Sequence, residues 1–472
     1  MNTYLPDSLY LAAAILFILG LKGLNAPTTA RRGLVLAEAG MLLAIIGTLL
    51  RGDIVQFQWI LVGVVIGSAI GAAMAIFMPM TAMPQRIAIS HAFGAMAATL
   101  VGIITFIEHA PRIPGIEMTA LGFEVLLGAL TVSGSLMAFS KLQDLLPSAP
   151  VTFRFQNIVT IGLLVVALGM FGFLVFHPAA ELLFFTMIAA GLLIGVLLVL
   201  PIGGADMPVV LALLNSYAGL ASAATGFVIG NNVLIVAGAL DGASGFFLSM
   251  MMSRAMNRSF TNVLFGAVGA VRPQEQTPGE ERTVIRYTPE DAAYILEQAQ
   301  SVIIVPGYGM AVAQAQHALA ELATLLIQRG VRVRFAIHPV AGRMPGHMNV
   351  LLADANVSYD LLYEPDQIND DFQTTDVALI VGANDVVNPA ARDKRESPLY
   401  GMPILNADQA RTIMMLKRSL RPGFSGEDNE LFYEQKTMMV FGDAKATLTA
   451  LNQLLKKTEA ISPVSAPSRG GP

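Results

Sequence analysis

Nine mostly apolar stretches, at about 8–24, 33–50, 57–78, 87–107, 118–139, 157–176, 182–200, 207–230 and 232–252, fill the first half of the chain. A bilayer core of about 30 Å takes roughly 20 apolar residues per helix, so each stretch predicts a membrane-spanning helix. The connections hold the turn formers and charges, as in HAPRIPGIE and LPSAP. Region 1–256 therefore reads as a multi-span α-helical membrane domain. The small-residue runs GSAIGAA and GLASAATG predict close helix packing within it.

With the N-terminus outside, the inner connections hold Lys22, Arg31, Arg32, Arg86, Lys141, Arg154, Arg254 and Arg258, and the outer ones only Arg51 and Arg112. Basic residues collect on the cytoplasmic side of a membrane, so this bias predicts that everything after the last span faces the cytoplasm. No positive charge precedes the first span, which therefore does not read as a secretory signal.

The pattern changes near residue 257. RPQEQTPGEERTVIRYTPEDA is polar and Pro-containing, which suits a linker over 257–289. Beyond 290, the short runs SVIIV, VRVRFAI, DVALIVG, MPIL and TMMVFG alternate with helical patterns. That alternation predicts a parallel sheet with helices on both faces, a cytoplasmic Rossmann-like, doubly wound α/β domain over 290–458. The last stretch, 459–472, reads as a disordered tail.

Composition agrees with a chain half in lipid: 54% of the residues are hydrophobic and 13% charged, against about a quarter charged in soluble proteins. A net charge of −5 carries no electrostatic footprint for nucleic acid. The absence of cysteine excludes disulfides, thiolate catalysis and iron–sulfur clusters. His91, His109, His177, His317, His338 and His347 are scattered, with no i, i+4 pair for a metal.

In VIIVPGYGMAV a strand runs into Gly307, Tyr308, Gly309, Met310, Ala311 and Val312. Glycines there allow a tight turn and close approach to a pyrophosphate, and a helix starting near 310 offers its N-terminal N–H groups. The third fingerprint position is Val312 rather than Gly, and a tight connection alone accounts for the same residues. No acid ends the second strand; His338 does, with Arg332, Arg334 and Arg343 nearby. Lys417, Arg418 and Arg421 open a later Gly/Pro loop. Cations suit a ribose 2′-phosphate, which an acid repels, and lean towards NADP over NAD; solvated surface charge is the plain alternative. Asp385 in GANDVVNP stands at the carboxyl edge of the sheet, as a ligand to ribose or nicotinamide or as part of an Asx-type turn with Asn384.

Ionisable and polar groups inside the spans form a second set: His91, roughly 7 Å above Arg86 at 1.5 Å per residue, with Glu124, Ser135, Asn215, Asn231 and Asp241. Their depths suit a ladder across the membrane, and His91 alone titrates near neutrality without a shift. Ordinary interhelical hydrogen bonding is the better reading for Ser135 and Asn215.

Six blocks in order, GGADMPVVLALLNSYAG, PGYGMAVAQAQ, IHPVAGRMPGHMNVLLA, INDDF, GANDVVNPAA and FGDAKA, resemble the beta subunit of the proton-translocating NAD(P) transhydrogenase over nearly the whole chain. The resemblance implies NADP(H) on this chain and NAD(H) on a partner alpha subunit or subunits, with direct hydride transfer coupled to inward proton movement. It also implies a multi-pass protein of the bacterial inner membrane, surrounded by lipid, in a complete assembly that is a dimer, with no nucleic-acid partner. Carried over by motif, Gly307–Val312 lie at the pyrophosphate, Lys417 and Arg418 at the 2′-phosphate, and RPGFSGEDN, with Gly423, Phe424 and Ser425, forms a lid. His338, Gly342 and Arg343, with Gly382, Ala383, Asn384 and Asp385, resemble the region that senses nucleotide state. His91, Ser135 and Asn231 fall on the implied proton path, and Asp206 where that path meets the soluble domain. Phe424 stands where the family pattern leads one to expect Tyr, and Asp241 is outside the pattern. The rival readings are an ion channel or transporter with a nucleotide-sensing domain, although no TVGYG-like filter is present, and a self-contained dehydrogenase, for which no second cofactor site is visible.

Overall fold

The computed structural model describes residues 4–461 except 25–26, 52–55, 111, 148–149, 205, 258, 266–283, 345, 398 and 424. Two compact units divide it, one of the membrane helices and one of the sheet. Among the described residues, nine helices are long and apolar enough to cross a membrane. They are α1 (Tyr4–Gly23), α2 (Pro27–Leu49), α3 (Phe57–Phe77), α4 (Met83–His109), α5 (Gly115–Leu142), α6 (Gln156–Phe176), α7 (Glu181–Val199), α8 (Met207–Val228) and α9 (Asn232–Ala255). Gly230, at φ +63°, makes the turn that separates α8 from α9.

Helix α5 is the hub of the membrane unit and packs against α4, α6, α7 and α8. Its apolar contacts include Leu121, Val125 and Leu130, in one cluster with Phe184 and Met187 of α7 and Leu214 of α8. Small residues set these distances: a Cβ at Gly195 of α7 would lie 2.1 Å from the Leu130 carbonyl oxygen. The run GLASAATG in α8 packs closely, as expected. GSAIGAA in α3 does not: α3 has no buried residue, and a Cβ at Gly67 or Gly71 would meet nothing within 4 Å. Small residues permit close approach but do not compel it, and among the described residues none buries α3.

A short helix α10 (Phe260–Phe265) follows, and the rest of the expected linker up to 283 lies outside the described residues. The second unit holds α11 (Pro289–Gln298), β1 (Ser301–Pro306), α12 (Tyr308–Val312), α13 (Gln316–Gln328), β2 (Arg332–Ala336), α14 (His347–Asp354), β3 (Leu362–Tyr363), α15 (Pro365–Ile368), β4 (Val377–Val381), α16 (Ala390–Asp393), β5 (Thr412–Lys417), β6 (Thr437–Phe441) and α17 (Ala444–Ile461). Helix α17 runs three residues into the stretch expected to be tail, and 462–472 lie outside the described residues.

The six strands form one parallel sheet in the order β3-β2-β1-β4-β5-β6. Strands β1 and β4 are buried along their whole length, as both-face coverage requires. One face is covered by helices, α17 packing on both α11 and α13, with α14 alongside α13. The other face departs from the expected helices: it is closed by one-turn helices and 3₁₀ turns that bring Ile368, Phe372, Leu405, Ala407, Leu431 and Phe432 onto Ile303, Ile380 and Met415. MPIL is not a strand; Pro403 has no N–H for a ladder, and Leu405 N makes a single bond to the Val386 carbonyl at 2.9 Å. The fifth strand is instead TIMMLK, whose methionines disguise it.

Lys141 is 1% exposed in the last turn of α5, and its Nζ donates to the carbonyls of Leu200 at 2.5 Å and Ile202 at 2.8 Å. It thereby satisfies groups left over at the end of α7, where the negative pole of the helix also favours a cation. Lys141→Met is expected to destabilise the membrane unit by about 2 kcal/mol, two charge-assisted bonds less the recovered desolvation. Thermal unfolding of the detergent-solubilised protein checks this.

Candidate functional site

Open parallel sheets bind ligands at the carboxyl ends of the strands, at the point where the strand order reverses. Here that point lies between β1 and β4. The turn after β1 and the turn after β4 run against each other there. Gly307 N donates to the Val381 carbonyl and Gly309 N to the Gly382 carbonyl, both at 2.9 Å. A Cβ on Gly307 would lie 2.4 Å from Ala383 Cα, and one on Gly382, itself at φ +67°, would lie 2.5 Å from Met310 N. The glycines of this turn are thus required by the crossing of two loops.

The expected helix at this turn is a single turn, Tyr308–Val312. Gln314 at φ +50° breaks it, and the long helix starts only at Gln316. Met310 and Ala311 are buried beneath the turn, while Val312 is 49% exposed. Across the edge, the Arg343 guanidinium lies over the Tyr308 ring at 4.4 Å and draws the loop after β2 towards the glycine turn. Gly342 (φ +136°) shapes that loop, where Arg343 N donates to His347 Nδ1 at 3.1 Å.

The remaining arginines of β2 are elsewhere. Arg332 begins the strand, at the end away from the site, and Arg334 is paired with Asp371. His338 is buried with both ring nitrogens committed: Nε2 donates to the Pro403 carbonyl at 2.7 Å and Nδ1 accepts from Val340 N at 3.2 Å. Burial pushes its pKa down to about 4, against the opposing Pro403 bond, so the ring is neutral at pH 7.

Asp385 opens a 3₁₀ turn after β4 and accepts two bonds from Ser425 across the edge, Oδ2 from the main-chain N at 3.0 Å and Oδ1 from Oγ at 2.9 Å. Three further bonds fasten the same loops: Asn429 Nδ2 donates to Asn384 Oδ1 at 3.0 Å and to the Asn384 carbonyl at 3.2 Å, and Asn388 Nδ2 to the Asp428 carbonyl at 3.1 Å. The loop after β5 is therefore latched to the loop after β4. Gly423 sits against the Asp385 carboxylate, where a Cβ would lie 2.4 Å from Oδ1. Phe424 is outside the described residues. The sequence carries these residues only as parts of polar stretches, Asn388 within GANDVVNP and Asp428 and Asn429 within the EDNE run after the Gly/Pro loop.

Lys417 ends β5 with its Nζ donating to the Arg421 carbonyl at 2.6 Å and lying 4.3 Å from the centre of the Phe432 ring. Burial lowers its pKa to about 8, opposed by the charges of Asp385 and Asp428. Arg418, next in the chain, is exposed. The edge thus offers a Lys–Arg pair, a glycine turn, no acid after β2, and a tethered loop above.

Within the membrane unit, His91 of α4 lies beside the Asn215 side chain of α8, and its Nδ1 makes no hydrogen bond. Glu124 of α5 is fully buried against Gly102 of α4. Ser135 is fully buried in α5, and its hydroxyl is without a hydrogen bond. Asn231 caps α9, its Oδ1 accepting from Leu234 N at 3.1 Å. Asp206 is nearly buried at the start of α8.

Asp385→Asn removes a charge from two charge-assisted bonds worth roughly 1.5–3 kcal/mol each. Hydrogen exchange over 418–429 is expected to accelerate at least tenfold while β1 and β4 stay protected.

Residues 7–454 match the family model described as NAD(P) transhydrogenase beta subunit. Two proteins named NAD(P) transhydrogenase subunit beta, one from Rhodospirillum rubrum and one from its strain ATCC 11170, are each 48% identical over 458 residues, covering 94% of this chain and 98% of the relative. On this agreement across both halves, the chain belongs to the NAD(P) transhydrogenase beta subunit family.

Proposed function

We propose that the sheet unit is a Rossmann-like domain that binds NADP(H) at its carboxyl edge, while NAD(H) binds the alpha partner. The observation that carries this reading is the placing of Lys417 and Arg418 at the end of β5, beside the switch-point glycine turn, with no acid at the end of β2. In it, Lys417 and Arg418 hold the 2′-phosphate, Gly307–Val312 lie along the pyrophosphate, and the Asp385–Ser425 latch closes the loop over the nucleotide. The nicotinamides supply the hydride chemistry when bound. The chain's own residues bind and orient the ring and exclude water from it. Membership of the family does not favour a nucleotide-sensing channel.

The two nicotinamide couples have nearly equal potentials, so NADPH formation needs an external drive. A proton moving inward gains about 2.3 kcal/mol per 100 mV of membrane potential. In the proposed cycle protons pass His91 and Ser135, with Asn231 towards the outer side and Asp206 at the start of α8 as a further residue of the path. Protonation of His91 biases the lid and the GAND loop between open and closed states, through different NADP(H) affinities in the two. The chain would sit in a bacterial inner membrane with its N-terminus outside and the sheet unit in the cytoplasm, in a dimer of the complete assembly. The basic residues of the inner connections support that orientation.

Calorimetric titration of the full chain in nanodiscs with NADP⁺, NADPH, NAD⁺ and NADH tests the assignment. Preference for the 2′-phosphorylated pair, weakened at least tenfold by Lys417→Ala or Arg418→Ala, is the expected result; equal affinity for all four would refute it. The pH dependence follows from Lys417. A bound phosphate dianion raises its pKa above about 8, so binding takes up a proton. NADP(H) affinity is then full below pH 8 and falls as pH rises through it, by up to about tenfold per unit. Lys417→Met removes that slope.

A further inference from the structure

Asp241 lies near the middle of α9, where a carboxyl group is costly in hydrocarbon and marks a functional position by default. Its Oδ1 accepts from Asn215 Nδ2 at 3.0 Å, and the same nitrogen lies 3.4 Å from the Asp241 main-chain oxygen. Asn215 in turn neighbours the imidazole of His91. Three helices thus set an imidazole, an amide and a carboxyl group in a row.

The approach of α8 and α9 at this level is imposed by their backbones. A Cβ at Gly219 would lie 2.4 Å from Gly242 N, and one at Gly245 would lie 2.7 Å from Ser216 N. Ser216 Oγ donates to the Gly242 carbonyl at 2.7 Å and Ser249 Oγ to the Val209 carbonyl at 3.1 Å. On the other side of Asp241, a Cβ at Gly238 would lie 2.4 Å from Ala223 N, so α8 and α9 are zipped on both sides of it and Asp241 is held against Asn215.

We propose that His91 and Asp241, bridged by Asn215, hold one exchangeable proton between them, which makes Asp241 a residue of the proton path. The inference rests on the proton-translocating reading above. In a medium of low polarity, imidazolium beside carboxylic acid and imidazole beside carboxylate each leave a net charge uncompensated. The remaining two states, imidazole with carboxylic acid and imidazolium with carboxylate, are neutral in sum and contain the same single proton. As a proton arrives to form the O–H of Asp241, the N–H proton of His91 leaves, and the total stays at one. Asn215 donates an N–H to the carboxylate and has a carbonyl oxygen to offer the imidazole.

The other charged groups on the surrounding helices have their own places. Arg86 donates to the Met78 carbonyl, Lys141 to those of Leu200 and Ile202, and Glu124 lies against Gly102. Tyr217 belongs to α8 and Asp206 precedes its first residue, while Glu108, His109, Glu117 and Arg254 stand at helix ends.

The complete complex with its alpha partner, in liposomes containing a pH dye, tests the inference from pH 5 to 9. Asp241→Asn is expected to move the pH profile of proton uptake per hydride towards acid by about one unit, the loss of one counter-charge across an amide. Asp241→Glu is expected to restore it. In infrared difference spectra between the NADP⁺- and NADPH-loaded complex, the carboxylic-acid band assigned by Asp241→Asn changes in the wild type as the single proton moves between Asp241 and His91, and stays constant in His91→Gln, where neutrality requires the acid to keep its proton. A wild-type profile in Asp241→Asn, or an acid band indifferent to His91→Gln, overturns the inference. Should Asp241→Asn not assemble with the partner, Asp241→Glu and the infrared band of His91→Gln carry the decision. A wild-type complex that transfers hydride without moving protons would instead bring down the functional reading itself.

Discussion

The sheet unit depends on one crossing of backbones. Where β1 and β4 end, Gly307 and Gly309 run against Gly382 and Ala383 at distances that leave no room for a Cβ. The contact fixes the spacing of the two loops at the switch point. That spacing decides where Asp385 stands, hence where Ser425 is caught, hence how the loop after Lys417 lies over the edge. A side chain at any of the glycines would push the loops apart and move the latch with them.

The membrane half repeats the device with helices. Glycines at the α8–α9 contact bring two backbones together, and a polar pair, Asn215 and Asp241, meets at the same level. In both halves small residues create proximity and a carboxylate exploits it. The carboxylates differ in what holds them. Asp385 is fastened by a hydroxyl and a main-chain N–H in a wet edge, whereas Asp241 has an amide for its bonded neighbour inside a span.

Much of this was legible in the sequence, and the reasons for the rest are physical. The spans were readable because lipid demands long apolar runs, and β1 and β4 because doubly covered strands are apolar throughout. Strand β5 was hidden because Thr-Ile-Met-Met-Leu-Lys carries few β-branched residues, and β3 because it is two residues long. Local pattern also misplaced the arginines of β2: their sequence neighbourhood suggests a phosphate site, but Arg332 is at the wrong end of the strand and Arg334 is paired. The latch was invisible because Asp385 and Ser425 are 40 residues apart and meet only through the sheet. Asn231 also caps α9, its Oδ1 accepting from Leu234 N, as Asn before an apolar run often does.

The central claim is that hydride transfer at the sheet edge and proton movement through the helices are one process. The most direct test uses liposomes that carry the complete complex with the nucleotide domain facing the bath and an acid lumen. With NADH and NADP⁺ supplied outside, the account predicts that NADPH accumulates beyond the ratio set by the nicotinamide potentials, and that an uncoupler returns it to that ratio. An NADPH ratio indifferent to the gradient, with hydride transfer proceeding at full rate, would contradict it.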